Sequence, residues 1–276
     1  MTGYFLQIFA TILFALYFSV VKLYQKREGD DFRNGFLFNA MIGIFTVLIF
    51  WTVNQFEFGF TWFSLSMATL STLCVVGYTL LSFKLLKSGT VALYTMFLMS
   101  GGMLVPFFWG IVALGEEITI LNAIGIVFMI TAMVIMNSEI KSINKWQIVL
   151  CIAIFLLNGF TSVIGKLHQT SHYAAVDEVE FIILSSLSKI IICSAMYFIL
   201  PKSSDSKMNF TPFNIGIFIL AGGLSGAASS ILLFGASSIP ATVLYPINTG
   251  GTIIFSSLAS LLFFGEKLRK KMLWQL

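Results

Sequence analysis

One lysine stands where a charge is expensive. Lys189 lies in Leu184-Ser185-Ser186-Leu187-Ser188-Lys189-Ile190-Ile191, near the middle of an apolar run, and a central lysine costs roughly 2.5–3.5 kcal/mol on membrane-insertion scales. Two readings compete. Either the ammonium faces a polar cavity and binds an anionic group or a carbonyl, or the side chain snorkels along its stem to water. Tyr94 and Tyr245 stand in two other apolar runs. A ring with a hydrogen-bonding tip suits a small amphipathic ligand, while ordinary packing or a place in an interfacial belt is the competing reading. Asn158 and Asn248 add hydrogen-bonding groups at similar depth, and Trp109, Tyr17 and Tyr78 are weaker candidates of the same kind.

Lys22 and Lys166 lie about one turn from the ends of their runs. Such lysines serve as interfacial anchors, or here as charges at the two mouths of a central pathway. Gly101-Gly102 and Gly250-Gly251 allow close helix approach, and Pro106 and Pro246 in the same runs remove backbone hydrogen bonds. These six residues are the expected hinges. Glu116 and Glu266 end their runs, where a carboxylate is favoured by the dipole of the helix that follows. His168 and His172 read as part of a short exposed connection. They carry no metal-binding helix motif, and no nucleophile triad or phosphate-cradling loop accompanies them. Cys74, Cys151 and Cys193 read as small core residues. Nothing here points to an enzyme, a cofactor or a metal.

The elements that hold these residues follow from composition. Of 276 residues, 58% are hydrophobic and 10% charged, and the mean hydropathy is +0.94. Those values lie far outside the range of soluble domains. Nine runs are long enough to cross a hydrocarbon core of roughly 30 Å. They extend over Gly3–Tyr24, Gly35–Asn54, Trp62–Phe83, Val91–Leu114, Thr119–Asn137, Trp146–Leu167, Val179–Leu200, Phe213–Phe234 and Ala241–Phe264. None shows strand alternation, so the fold class is all-α and polytopic. The first run has no preceding basic residue and is expected to remain as a helix rather than act as a cleaved leader.

The chain is written twice. Tyr94, Gly101-Gly102 and Gly115-Glu116 return as Tyr245, Gly250-Gly251 and Gly265-Glu266, and Lys22-Leu23-Tyr24-Gln25 returns as Lys166-Leu167-His168-Gln169. Five runs separate equivalent points, and an odd number of crossings inverts the second copy. The expected repeats are residues 1–140 and 141–276. Lys22, Lys26, Arg27, Arg33, Lys84, Lys87, Lys141, Lys145, Lys202 and Lys207 fall in alternate connections, as does the basic tail, while Glu57, Glu116, Glu117, Asp177 and Glu178 fall in the others. The positive-inside rule then places the amino terminus outside and the basic tail in the cytoplasm. The net charge of +4 therefore reports topology and not a nucleic-acid partner.

The repeat endings carry a resemblance. Gly115-Glu116 followed by Ile124-Gly125-Ile126-Val127, and Ala241-Thr242-Val243-Leu244-Tyr245 leading to Phe263-Phe264-Gly265-Glu266-Lys267-Leu268, resemble the drug/metabolite transporter superfamily, in particular its ten-helix members built from two EamA-type repeats. The resemblance covers essentially the whole chain, and the second of these stretches is also similar to the third-to-fourth-helix region of the four-helix small multidrug resistance proteins, relatives of a single repeat. It implies secondary transport of amino acids or related metabolites, with the tyrosine-bearing fourth and ninth helices lining the substrate cavity.

Three features depart from that pattern. A tenth helix should follow Glu266, yet Lys270-Lys271-Met272-Leu273-Trp274-Gln275-Leu276 is too short and too basic to span; the sequence is a truncated one or a nine-helix variant. The family places its amino terminus in the cytoplasm, against the charge bias. The first and sixth runs lack the carboxylate that small multidrug resistance proteins use to export cations, which ranks a cationic-drug exporter third. A lipid-linked intermediate flippase subunit or a membrane scaffold is the second reading. The expected setting is a bacterial cytoplasmic membrane, with a small-molecule substrate, the lipid bilayer, an unassigned coupling ion (H+ or Na+) and a monomeric or homodimeric state.

Overall fold

The computed structural model describes residues 2–28, 31–86, 91–136, 144–173, 175–201 and 210–264. The basic residues Lys87, Lys141, Lys202 and Lys207, the second Gly-Glu pair and the chain beyond it lie outside these, as does the expected repeat boundary. The described residues form nine helices: α1 Thr2–Glu28, α2 Phe32–Val53, α3 Trp62–Leu86, α4 Val91–Leu114, α5 Ile120–Met136, α6 Lys145–Thr170, α7 Glu178–Ile199, α8 Pro212–Ser238 and α9 Ala241–Phe264. Eight are long and apolar enough to cross a membrane, and α5 has 17 described residues.

Local chemistry sets several ends. The Asp31 side chain accepts from the Asn34 amide at 3.1 Å and opens α2. Asn144 accepts from the Trp146 amide at 2.6 Å, and its own amide donates to Gln147 Oε1 at 2.9 Å, opening α6. Thr211 caps α8 just before Pro212, whose missing amide costs nothing in a first turn. Each bond satisfies a donor that a helix start otherwise leaves open.

The helices of one sequence repeat pack mainly against those of the other. α1 lies against α8 and α9, while α6, five places further on, lies against α3 and α4. The α2–α8 contact likewise corresponds to α7–α3, and α2–α7 and α4–α9 map onto themselves. Equivalent helices also run in opposite directions. Arg33 Nε, at the start of α2, donates to Tyr197 O near the end of α7 at 2.8 Å. Glu116, just beyond α4, reaches the start of α9. The contacts thus pair up under the exchange of α1–α4 with α6–α9, as expected of two inverted copies.

Small residues let the helices approach. A Cβ on Gly101 would overlap the backbone carbonyl of Phe155 on α6, and one on Gly251 would sit 2.8 Å from the Thr11 side chain on α1. Large apolar side chains, including Val112, Ile120, Phe128, Phe198 and Leu262, face outward. In a water-soluble chain that surface would be a liability; towards lipid it is the expected exterior.

Candidate functional site

A cavity of about 250 Å³ opens among α2, α3, α6, α7, α8 and α9. Lys189, near the middle of α7, lines it. Most of the remaining polar lining consists of hydroxyls: Ser185 and Ser186 on α7, Ser71 and Thr72 on α3, Ser225 and Ser229 on α8. The spacing explains the shared face. Ser185 and Lys189, like Ser225 and Ser229, are four residues apart and so project from one side of their helices.

Several lining hydroxyls already donate inward. Thr46 Oγ1 donates to Ile42 O at 2.9 Å, Thr72 Oγ1 to Ala68 O at 2.9 Å, and Thr161 Oγ1 to Asn158 O at 2.6 Å. Their lone pairs remain as acceptors. Tyr245 completes the wall from α9, its hydroxyl donating to Ser162 O on α6 at 2.6 Å. The cavity is displaced towards the bundle end where α7 and α9 begin, because Phe181, Ala236 and Tyr245 line it close to those helix ends.

Aromatic clusters lie at both ends of the bundle. At the near end His168 packs on Phe181, ring centroids 4.0 Å apart, and stacks on Phe63 at 5.8 Å. Its Nε2 lies 2.8 Å from Ser64 Oγ, which also accepts the Val176 amide. At the far end Tyr24 stacks on Phe38 at 4.3 Å and meets Phe218 at 5.8 Å. Tyr24 and His168 are the third residues of the two matching tetrapeptides.

A polar latch stands beside the near cluster. Gly115 adopts φ +66°, the left-handed turn that suits glycine beyond a helix end. The turn swings Glu116 over α9, where its oxygens accept the Ala241 amide at 2.7 Å and the Thr242 amide at 2.8 Å. Lys166 Nζ donates to Ile239 O at 2.7 Å and lies 3.9 Å from Glu116 Oε1. One carboxylate and one ammonium thus join the ends of α4, α6 and α8 to the start of α9.

The sequence candidates therefore separate. Lys189 and Tyr245 meet in the cavity. Tyr94 does not line it; its ring packs with Leu85, Leu150 and Ile154 between α3, α4 and α6. Asn158 Nδ2 donates to Leu98 O at 2.6 Å and ties α6 to α4. Asn248 Oδ1 and Trp109 Nε1 are buried with no hydrogen-bond partner among the described residues and lie outside the cavity wall. Gly101 and Gly102 form the α4 contact with α6, and Gly250 and Gly251 face Met129 and Thr11. Pro106 leaves the Gly102 carbonyl without its helical donor, and Ser162 Oγ approaches that oxygen at 3.4 Å. Pro246 likewise lies inside α9.

Lys22 donates to Ser260 Oγ at 3.0 Å and lies over the Phe264 ring, so it also joins α1 to α9. Three expectations change. Lys166 is 5% exposed and hydrogen-bonded within the protein, not spread along an interface. Glu116 caps α9, not the α5 that follows it. His168 belongs to the last turn of α6 and is fully buried, although His172 is exposed as expected. The serine lining escaped the sequence reading; its trace was the four-residue spacing of Ser185 with Lys189 and of Ser225 with Ser229.

Apolar helices of spanning length around a cavity that Lys189 and several hydroxyls line define a polytopic α-helical membrane protein. No family model and no curated protein sequence matches the chain. A solved structure described as "Crystal structure of protein" aligns over 98% of this chain and 92% of its own length, with a TM-score of 0.75 and 12% sequence identity. At that identity the likeness is one of fold.

Proposed function

We propose that the chain is a secondary transporter. It moves small organic metabolites, amino acids or related compounds, across the cytoplasmic membrane by alternating access, and catalyses no covalent chemistry. The observation that carries this reading is the polar cavity holding Lys189 between helices of the two interlocked repeats. An ionisable residue at membrane depth marks a solute or ion pathway by default, and sites at a repeat interface are characteristic of secondary transporters. The aromatic clusters of His168 and Tyr24 supply closures at opposite ends, and the glycine contacts of α4 and α9 supply surfaces on which the repeats rock. The basic ends near Lys22, Arg33, Lys84 and Lys145 face the cytoplasm in this reading.

Cysteine accessibility in sealed vesicles tests the reading. Cys74, Cys151 and Cys193 are first replaced by alanine, and Ser229→Cys is introduced into the cavity. A membrane-impermeant thiol reagent should reach it from both sides in turn, and a labelled mixture of amino acids and related hydroxy acids should exchange across the membrane. Reactivity from neither side, together with no solute exchange, would sink the transporter reading.

A further inference from the structure

With the cavity taken as a translocation site, a reading on which this assignment rests, we propose that within that substrate class its ligand is a small organic anion of net charge −1, a hydroxy acid or similar relative of an amino acid and not the zwitterion itself. Its carboxylate pairs with Lys189, and its hydroxyl donors bind the threonine oxygens. Lys189 lines the cavity and has no hydrogen bond and no carboxylate partner among the described residues. Such a charge at membrane depth is costly until an anion joins it. One ammonium compensates one negative charge. A zwitterion or neutral polyol brings no net charge to balance it, and a phosphomonoester dianion brings one too many into a low-dielectric site.

The hydroxyls divide into two sets with complementary roles. Ser185 and Ser186, on the helix that carries Lys189, line the cavity, and their side-chain hydroxyls have no hydrogen-bond partner among the described residues, although the Ser185 carbonyl accepts from Thr72 Oγ1 at 3.4 Å. Ser186 is 3% exposed, so its O–H is buried against the cavity and free to donate. A carboxylate beside Lys189 would accept from it. Thr46, Thr72 and Thr161 have spent their protons on helix carbonyls and offer only acceptors. They suit donor groups on the ligand's remainder. The volume of about 250 Å³ falls below the roughly 300–1,000 Å³ of drug-sized sites, so the ligand is small.

The test uses the full-length protein in detergent and in vesicles. Two monoanions, glycerate and lactate, are compared with glycerol, serine, glycerol 3-phosphate and chloride, and the shift in thermal midpoint is measured for each. Glycerate or lactate should raise the midpoint saturably, and the other four should not. Lys189→Met should weaken the monoanion's apparent affinity at least about 30-fold, and Ser186→Ala several-fold, with Lys189→Arg retaining part of the binding. Lys189→Met removes a buried charge and is expected to fold; should it fail to fold, the loss in Ser186→Ala decides.

An equal shift with serine, glycerol or glycerol 3-phosphate overturns the charge assignment, and an equal shift with chloride overturns the organic one. No shift with either monoanion, or unchanged affinity in the lysine and serine variants, also overturns it. If labelling of Ser229→Cys still alternates between the two sides in that case, the transporter reading survives and only the ligand class fails.

Discussion

Tyr24 and His168 hold equivalent places at opposite ends of the bundle, each buried and each flanked by two phenylalanines. Phe181 belongs to both the His168 cluster and the cavity wall, so that cluster borders one end of the cavity directly. The Tyr24 cluster includes Ile42 and Ala221, one turn before the cavity-lining Thr46 and Ser225. The two aromatic groups therefore stand on either side of the hydroxyl-lined space.

Truncating these rings should open the ends separately. In vesicles carrying a cysteine at Ser186, His168→Ala should raise its labelling from the side of the His168 cluster, and Tyr24→Ala from the opposite side. Labelling raised from the same side by both changes would mean that the clusters are packing features of one end.

Glu116 connects two helices that the chain separates by more than a hundred residues. Glu116→Ala removes two amide acceptors from the start of α9 and leaves the Lys166 ammonium with a carbonyl alone. Thermal unfolding in detergent should register a loss of about 2–4 kcal/mol. Adding Lys166→Met should recover part of that loss by removing the stranded charge, whereas additive losses would show that the two residues act independently.

Glycine packing gives a paired test. Gly101→Ala places a methyl group against the Phe155 backbone and should destabilise the protein by roughly 1–3 kcal/mol, since neither helix backbone yields cheaply. Gly216→Ala, on α8, meets nothing within 4 Å and should be neutral or stabilising by up to about 1 kcal/mol. Similar unfolding midpoints for the two variants would count against the close α4–α6 contact.

Tyr245→Phe keeps the ring but removes the donor to Ser162 O. The expected cost is about 1 kcal/mol in thermal unfolding, with a smaller effect on solute exchange than Lys189→Met. Exchange lost as completely as in the lysine variant would make the tyrosine hydroxyl a direct ligand contact.

The orientation rests on charge alone and has its own experiment. A cysteine at Lys145, in the first turn of α6, should be labelled only from the cytoplasmic side of intact cells. Labelling from outside would reverse the assignment and bring it into line with the amino-terminal placement that the family resemblance implies.

Helix positions were legible because bilayer compatibility is a property of each run by itself. The errors fell at ends where polar residues looked like loop. α6 continues through His168 to Thr170, since the Lys166 ammonium and the His168 ring find partners on other helices. α8 runs to Ser238, four residues past its expected end at Phe234, with the buried Gly235 and Ala236 packed within the bundle. Lys189 was legible from its cost in a membrane, but the serines around it were not. A serine in an apolar helix is unremarkable until the rotation of neighbouring helices decides whether it meets a cavity.

Tyr94 shows the limit of reading symmetry from sequence. It matches Tyr245 in the repeat, yet it packs between α3, α4 and α6 while Tyr245 reaches the cavity, because the cavity is displaced towards the start of α7 and α9. The apolar spans and the central lysine were determined by the sequence alone, since local composition suffices for each, and the expected duplication rests on short motifs matched between the two halves. The pairing of helices between the two halves, the reach of Glu116 to α9 and the hydroxyls that share a cavity with Lys189 were decided only by tertiary structure. Helix pairing in lipid depends on close contact at small residues and on buried hydrogen bonds between distant segments, and neither is written in any one stretch of chain.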